Sequence, residues 1–219
     1  MTIISPSLLA CDFLNIESEL KAFNGINHFW FHLDIMDGHF VPNLTFGHPI
    51  VEKISKKTNH LLDAHFMVTN PRFYIETFKN FGIHNFTFHV EACANEAETL
   101  ELLALAKKYY PSVGLSLRPS TALEALTPKM LSSIDLLLVM SVEPGFGGQG
   151  FIENTWDRLN QLKGIKPQYR FQIQVDGGVG EVNAKRLIEN GVDNLVAGSF
   201  IFKAGADHYR EQIKKLRLY

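Results

Sequence analysis

Short runs rich in β-branched and aromatic residues recur along the chain, separated by segments in which apolar residues have helical spacing. The eight runs read IISPSLL, HFWFHLDIM, LLDAHFMV, NFTFHVEA, VGLSLR, IDLLLVMSV, FQIQVDGG and DNLVAGSF. The helical spacing is clearest in NPRFYIETFKNFG and NEAETLELLALAKKY. Because apolar strands alternate with helices of this length, the pattern predicts βαβ units and a parallel sheet.

Local signals at the helix ends support this division. Asn70 stands ahead of Pro71 at a predicted helix start, and Gly82 and Gly191 follow predicted helices. Eight strands in 219 residues leave about 27 residues for each unit, enough for a strand, a helix and short loops. No linker or charge run divides the chain, so we expect residues 1–219 to form one (β/α)8 TIM barrel of the α/β class. An open doubly wound sheet is the alternative.

Polar residues occupy one face of three predicted strands. In FWFHLDIM every second residue from Phe29 is apolar, while His32 and Asp34 share the other face with Trp30 and Met36. Two further strands alternate in the same way, and their second faces carry Gln172, Gln174 and Asp176, and Asp63, His65 and Met67. Buried parallel strands are ordinarily apolar on both faces. Polar positions inside a barrel cost stability, which indicates a functional site there.

Four of these polar residues are histidine or aspartate, whose side chains can bind metal ions. They fall near the C-terminal ends of strands 2, 3 and 7, and are His32, Asp34, His65 and Asp176. Active sites of barrels lie at that rim. A single strand-end histidine is usually structural, and an aspartate before glycine is usually a turn residue. Two imidazoles and two carboxylates together suit one divalent ion per subunit, such as zinc, iron(II), cobalt or manganese.

Glycine-rich segments follow strands 6, 7 and 8. They are Gly145-Phe146-Gly147-Gly148, Gly177-Gly178 and Gly198-Ser199. Backbone amides at such turns bind phosphate without a lysine, and the loops after strands 7 and 8 of barrels are a frequent phosphate site. The segment GFGGQG also matches a dinucleotide fingerprint. It lies late in the chain and no acidic residue follows about 20 positions later, which disfavours a nicotinamide-dependent oxidoreductase.

Other residues are placed to shape the same rim. Met36, Met67 and Met140 stand at strand ends and predict a soft, water-poor wall. Ser7 ends strand 1 and points to this rim. Further candidates for contact with the substrate are His89, Glu91 and Arg118.

Composition narrows the classes of function. Hydrophobic residues make up 46% and charged residues 20%, which allows a sizeable core. The formal net charge of -2 gives no basic field for nucleic acid or an anionic membrane. The first residues, MTIISPSLLACDF, show no basic n-region and no long apolar run, and Cys11 and Cys93 have no disulfide-like spacing, so we expect a cytoplasmic protein with free thiols. We also expect a homo-oligomer that acts on a small molecule.

The motifs resemble those of the ribulose-phosphate 3-epimerase family, in order and over nearly the whole chain. They read SPSLLACDF, HLDIMDGHFVPNLTFGHP, DAHFMV, TFHVEA, VMSVEPGFGGQGFI, VDGGV and VAGSFIF. The resemblance implies that the four metal ligands include an acid–base pair, Asp34 and Asp176. Departures from the family pattern occur at Phe66, Arg118 and Phe200.

The resemblance also implies roles in substrate binding. Sugar contacts are expected from Ser7, His32 and His65, a methionine wall from Met36, Met67 and Met140, and phosphate contacts from Gly145, Phe146, Gly147, Gly148, Gly177, Gly178, Gly198 and Ser199. The implied reaction interconverts D-ribulose 5-phosphate and D-xylulose 5-phosphate through an enediolate, in the pentose phosphate pathway. Alternatives are epimerisation of D-allulose 6-phosphate and a non-catalytic barrel that binds sugar phosphates.

Overall fold

The computed structural model describes residues 1–217, in which eight parallel strands form a barrel. The strands are β1 Ile3–Pro6, β2 Trp30–Met36, β3 Leu61–Met67, β4 Ile83–His89, β5 Ser112–Leu117, β6 Leu136–Met140, β7 Gln172–Asp176 and β8 Asn194–Ala197. The spatial order runs from β2 in sequence to β8 and then to β1. Bridges from Ile4 to Phe29 and from Ser7 to His32 join β1 to β2. The predicted barrel is therefore confirmed, and the open doubly wound sheet is wrong.

Helices follow the strands and cover the outside of the barrel. They are α1 Ile16–Ala22, α2 His48–Lys57, α3 Pro71–Thr77, α4 Glu96–Ala106, α5 Pro128–Ser133, α6 Thr155–Ile165, α7 Glu181–Glu189, α8 Ser199–Phe202 and α9 Tyr209–Arg217. At the start of α3 the side chain of Asn70 accepts a hydrogen bond from the N–H of Phe73 at 3.2 Å, with Pro71 in the first helical position. Gly82 and Gly191 have φ angles of 64° and 86°, which suit glycine in the turns after helices. Among residues 1–217 no helix has the length and apolar character that crossing a bilayer requires.

The main apolar core lies between the strands and the helices. The outward side chains of β2, Phe31, Leu33 and Ile35, are completely or almost completely buried. Phe31 packs edge-to-face on Phe23 next to α1, with ring centroids 5.0 Å apart. Burying one such side chain contributes about 1.5–3 kcal/mol. This outer layer provides the stability that allows polar residues inside the barrel.

The inside of the barrel is divided into a polar wall and an apolar wall. On the polar wall Asn85 Nδ2 donates to Asp63 Oδ1 at 2.7 Å, and Gln174 Nε2 donates to Asp63 Oδ2 at 2.5 Å. On the apolar wall Leu136 and Leu138 of β6 pack with Met140, Val142 and Trp30. The alternation predicted for β2, β3 and β7 is confirmed. The polar wall leads up to the C-terminal rim, where the candidate site lies.

Candidate active site

Four ionisable residues meet at the C-terminal rim of the barrel. His32 and Asp34 lie two positions apart on β2, and Asp34 is paired in register with His65 on β3. Asp176 is the last residue of β7. One nitrogen or oxygen atom from each residue lies within 4.8 Å of the corresponding atoms of the others. Strand alternation and sheet register thus bring together the four residues predicted as metal ligands.

The arrangement of donor atoms fits a divalent ion. His32 Nε2 and His65 Nδ1 each lie 3.4 Å from Asp34 Oδ1, and 3.7 and 3.8 Å from Asp176 Oδ2. Four ligands about 2.0–2.1 Å from a tetrahedral ion stand about 3.3 Å apart, close to these distances. Both imidazole nitrogens are buried and have no hydrogen-bond partner within the described residues. Leaving such groups unpartnered is costly, and a metal ion would satisfy both.

A second carboxylate orients His32 from inside the barrel. Asp63 Oδ2 lies 2.8 Å from His32 Nδ1. Both oxygens of Asp63 accept hydrogen bonds, from Asn85 and from Gln174, as expected of an ionised carboxylate. Such a group has no hydrogen to donate, so it also accepts from His32. The Nδ1 atom therefore carries a hydrogen, and Nε2 faces the four-residue cluster. This carboxylate–histidine pairing is typical of histidines that bind metal ions.

Behind His65 lies another imidazole rather than a carboxylate. His65 Nε2 is 2.8 Å from His89 Nε2, and His89 Nδ1 is 3.1 Å from Glu91 Oε2. The backbone N–H of Arg118 donates to Glu91 Oε1 at 2.7 Å. His89, Glu91 and Arg118 were expected as substrate contacts, but none of the three lines the cavity at the rim.

The two aspartates have opposite electrostatic environments. Burial raises the pKa of Asp34, but the positive charge of His32 and the closeness of the His32 and His65 rings outweigh burial and leave this pKa below its ordinary value. Ser7 Oγ also donates to Asp34 Oδ2, at 2.7 Å. At Asp176, burial and then the negative charge of Asp34 raise the pKa above its ordinary value. One carboxyl group therefore favours the ionised form and the other the protonated form.

The histidines differ in the same way. Burial lowers the pKa of His32, but the charges of Asp34 and Asp63 outweigh it and raise the pKa well above its usual range. Burial dominates at His65 and lowers its pKa to about 4. At neutral pH a metal ion would thus displace a proton from His32, whereas His65 is already neutral and can bind the ion without losing a proton.

A cavity of about 390 Å³ opens above these residues. Its walls include the following predicted site residues: Ser7, Asp34, Met36, Met67, Met140, Gly145, Phe146, Gly147, Gly148, Asp176, Gly177, Gly178, Gly198 and Ser199. His32 and His65 do not line the cavity and are completely buried. The cavity therefore exposes the two aspartates to a ligand, with both imidazoles lying deeper.

The glycines after β7 leave no room for a side chain. A Cβ atom on Gly177 would lie 2.5 Å from Val142 Cγ2, and one on Gly178 would lie 2.6 Å from the backbone nitrogen of Phe151. Their φ angles of 119° and 61° also favour glycine. The N–H groups of Gly177, Gly178, Gly198 and Ser199 donate to no other described backbone group. This part of the cavity can therefore offer backbone N–H groups to an anion.

The sequence reasoning missed Asp63 and Lys203 as site residues. The alternation of β3 puts Asp63 on its polar face, but the sequence carries no signal for its contact with His32. Lys203 lines the cavity, and it follows Ser199 by four positions, a spacing that places both on one side of a helix. The loop GFGGQG ends at Gly150, and α6 begins only at Thr155. It therefore does not open a helix as a dinucleotide fingerprint does.

Residues 3–202 match the model of the Ribulose-phosphate 3 epimerase family. The chain is 41% identical over 216 residues to the cytoplasmic isoform of ribulose-phosphate 3-epimerase from Oryza sativa, covering 98% of this chain and 92% of the relative. It is 38% identical over 201 residues to the ribulose-phosphate 3-epimerase of Treponema pallidum, covering 91% and 90%. A chloroplastic ribulose-5-phosphate-3-epimerase from Arabidopsis thaliana is 37% identical over 224 residues, covering 98% and 76%.

Among solved structures, the fold is similar to a mutant tryptophan synthase alpha-subunit from Pyrococcus furiosus. The TM-score is 0.71 at 15% identity, with 100% of this chain and 98% of the other covered. At this identity the likeness concerns the fold alone, and it agrees with a TIM barrel.

Proposed function

The chain belongs to the ribulose-phosphate 3-epimerase family and is a carbohydrate-phosphate epimerase, and from this premise we propose that it interconverts D-ribulose 5-phosphate and D-xylulose 5-phosphate. The reaction would use one divalent ion held by His32, Asp34, His65 and Asp176. The observation that carries the proposal is the pair of unlike carboxyl groups, Asp34 and Asp176, exposed to one cavity above two buried imidazoles.

Inversion at a carbon beside a ketone requires a base on one face and an acid on the other. Asp34 and Asp176 lie on β2 and β7, which β1 and β8 separate in the barrel. Their carboxyl groups therefore reach the cavity from different parts of its wall. A sugar carbon held between them can lose a proton to one aspartate and receive a proton from the other, giving an enediolate between the two steps.

The proton states of the two residues suit this division. The neighbouring His32 and His65 lower the pKa of Asp34 and favour its ionised form, to which Ser7 also donates a hydrogen bond. Asp176 retains a proton more readily because it is buried beside the charge of Asp34. Each turnover reverses these two states, so the titrations of the pair are coupled.

The metal site and its surroundings would stabilise the charge that develops on the substrate. A divalent ion held by His32, Asp34, His65 and Asp176 would act as a Lewis acid that supplies positive charge to the substrate. Met36 and Met67 pack with Val41 on one side of the cavity, and Met140 belongs to the apolar wall on the other. These side chains exclude water, which strengthens the electrostatic interactions within the site.

We place the substrate phosphate at the glycine turns after β7 and β8. The N–H groups there donate to no described backbone group and suit an anion, and Lys203 supplies a basic side chain in the same cavity wall. We propose that the glycine-rich loop after β6 closes over the ligand as a lid. The side chain of Asn43 donates to the carbonyl of Gly145 at 2.8 Å, and Phe146 is 54% exposed at the tip.

A coupled assay on protein stripped with a chelator tests the proposal. We expect turnover of D-ribulose 5-phosphate only after addition of Zn²⁺, Fe²⁺, Co²⁺ or Mn²⁺, with a lower kcat/KM for D-allulose 6-phosphate. A higher kcat/KM for the six-carbon sugar would assign the chain to that reaction instead. Binding of both sugars with no turnover under any of these ions would indicate a non-catalytic barrel.

A further inference from the structure

A chain of hydrogen-bonding side chains runs from His65 away from the cavity, through His89 to Glu91. The nitrogen–nitrogen distance between His65 and His89 is 2.8 Å, and the distance from His89 Nδ1 to Glu91 Oε2 is 3.1 Å. Both rings are completely buried. Bulk water therefore does not reach the two facing Nε2 atoms or His89 Nδ1, and these three atoms find their partners within this series of contacts.

Glu91 fixes the direction of this chain because it is surrounded by donors. Its Oε1 atom accepts from the backbone N–H of Arg118 at 2.7 Å and from the hydroxyl of Thr121. Burial raises the pKa of Glu91, but hydrogen bonds from His89, Thr121 and Arg118 outweigh it and lower the pKa to about 2. An ionised carboxylate only accepts hydrogen bonds, so His89 Nδ1 must carry a hydrogen.

The positions of the remaining hydrogens follow from this one. The His89 ring is completely buried and donates from Nδ1 to Glu91, so in its neutral form the Nε2 atom is an acceptor. The facing Nε2 atom of His65 must then carry the hydrogen of that contact. A neutral His65 with a hydrogen on Nε2 has a lone pair on Nδ1, which is the atom that faces Asp34 and Asp176.

We propose that Glu91, acting through His89, is a positioning residue that fixes the tautomer of His65 and so presents an unprotonated Nδ1 atom to the metal site. The inference rests on the proposed metal centre. His32 is oriented directly by the carboxylate of Asp63. His65 is oriented by the carboxylate of Glu91 through one intervening side chain, His89. Phe40 stabilises this arrangement, since its ring packs 4.9 Å from His89 and lies under the Arg118 guanidinium at 4.4 Å.

The substitution Glu91→Gln should reverse the direction of the hydrogen bonds that join Glu91, His89 and His65 without moving these side chains. The amide oxygen of glutamine would accept from the Arg118 N–H and the Thr121 hydroxyl, leaving the NH₂ group to face His89. His89 would then accept at Nδ1 and donate from Nε2, and His65 would accept at Nε2 and carry its hydrogen on Nδ1. Glu98→Gln is the matched control, because the Glu98 carboxylate accepts from the Ala94 N–H at 2.6 Å outside this chain.

Two measurements on the full-length protein test the proposal. In chelator-treated protein, ¹⁵N NMR of the histidine rings should show the Nε2–H tautomer of His65 in the wild type and the Nδ1–H tautomer in Glu91→Gln. Competition between the protein and a chromophoric chelator for Zn²⁺ should show affinity about 10–100-fold weaker in Glu91→Gln and unchanged in Glu98→Gln.

Each outcome bears on a separate claim. A wild-type His65 with its hydrogen on Nδ1 would overturn the proposal, and this spectrum needs no variant to fold. A Glu91→Gln protein that kept both the wild-type tautomer and the wild-type Zn²⁺ affinity would also overturn it. If the wild type bound no Zn²⁺, the metal centre would be refuted, while the NMR experiment would still decide the tautomer.

Discussion

The two ends of the cavity are built on opposite principles. The ionisable end consists of Asp34 and Asp176 in the cavity wall and of His32 and His65 buried beneath them, all near strand ends. The glycine end consists of Gly145–Gly148, Gly177, Gly178, Gly198 and Ser199. In the proposed mechanism the ionisable end acts through largely buried side chains, whose burial costs free energy. At the glycine end, ligand binding is proposed to use backbone N–H groups, which a ligand can approach closely because glycine has no side chain.

This difference predicts how each end fails. Removing a charge at the ionisable end should stop chemistry but leave the fold intact, because the outer aromatic core provides the stability. Adding an atom at the glycine end should weaken binding and also strain the loops, since Val142 and Phe151 already occupy the adjacent space. The following predictions test that contrast.

The largest effect should come from Asp176→Asn. This change removes the group that holds the exchangeable proton, and we expect kcat to fall at least ~10³-fold. Far-UV circular dichroism should be unchanged. Asp157→Asn, on the exposed surface of α6, is the control and should retain wild-type turnover. Near-normal activity of Asp176→Asn would contradict a catalytic role for Asp176 and leave it the role of a turn residue.

Removal of the metal should separate the two ends. Chelator-treated protein should lose turnover at least ~10²-fold, because the positive charge beside the substrate oxygens is gone. Its affinity for inorganic phosphate, measured by isothermal titration calorimetry, should change less than about threefold, because the glycine end binds through backbone groups. An equal loss of turnover and phosphate affinity would show that the two ends are not independent.

At the glycine end, Gly177→Ala should raise KM about 10-fold and lower the free energy of unfolding by about 1–3 kcal/mol. The cause is the contact of the new Cβ with Val142 and the φ angle of 119°. Gly164→Ala has open space and lies inside α6, so it should leave KM unchanged and not destabilise the protein. Steady-state kinetics and urea denaturation of both variants provide the comparison.

The smallest effect concerns the pH dependence of stability without metal. The pKa of Asp176 is raised in the folded state, so the folded state binds more protons than the unfolded state and stability falls as pH rises. Asparagine cannot ionise. Between about pH 5 and pH 8, metal-free wild type should therefore lose ~1 kcal/mol or more relative to Asp176→Asn. Parallel pH profiles for the two proteins would argue against a raised pKa.

The ionisable end could be predicted from the sequence because geometry leaves little freedom there. Alternate residues such as His32 and Asp34 must share a strand face, and the ends of parallel strands must meet at one rim. The same reasoning placed the glycine loops at that rim. It did not show that His32 and His65 lie below the cavity floor, since depth depends on how far each side chain reaches.

The supporting residues could not be predicted, because their contacts depend on the register between strands. The pairing of β3 with β4 shifts between Leu62 and Asp63, and this shift decides which residues of β4 lie beside His65. His89 thus appeared in sequence as a substrate contact rather than as the support for a ligand. The helix ends were also shorter than the pattern, with α3 ending at Thr77 and α4 at Ala106.

Proton transfer at C3 by the two aspartates is the central claim, and hydrogen exchange with solvent measures it directly. D-ribulose 5-phosphate should be incubated with metal-loaded enzyme in D₂O, and both sugars examined by NMR as equilibrium is approached. We predict deuterium at C3 of D-xylulose 5-phosphate from the first turnovers, and at C3 of D-ribulose 5-phosphate as the reaction reverses. Formation of D-xylulose 5-phosphate that retains the original hydrogen at C3 would contradict the two-aspartate mechanism.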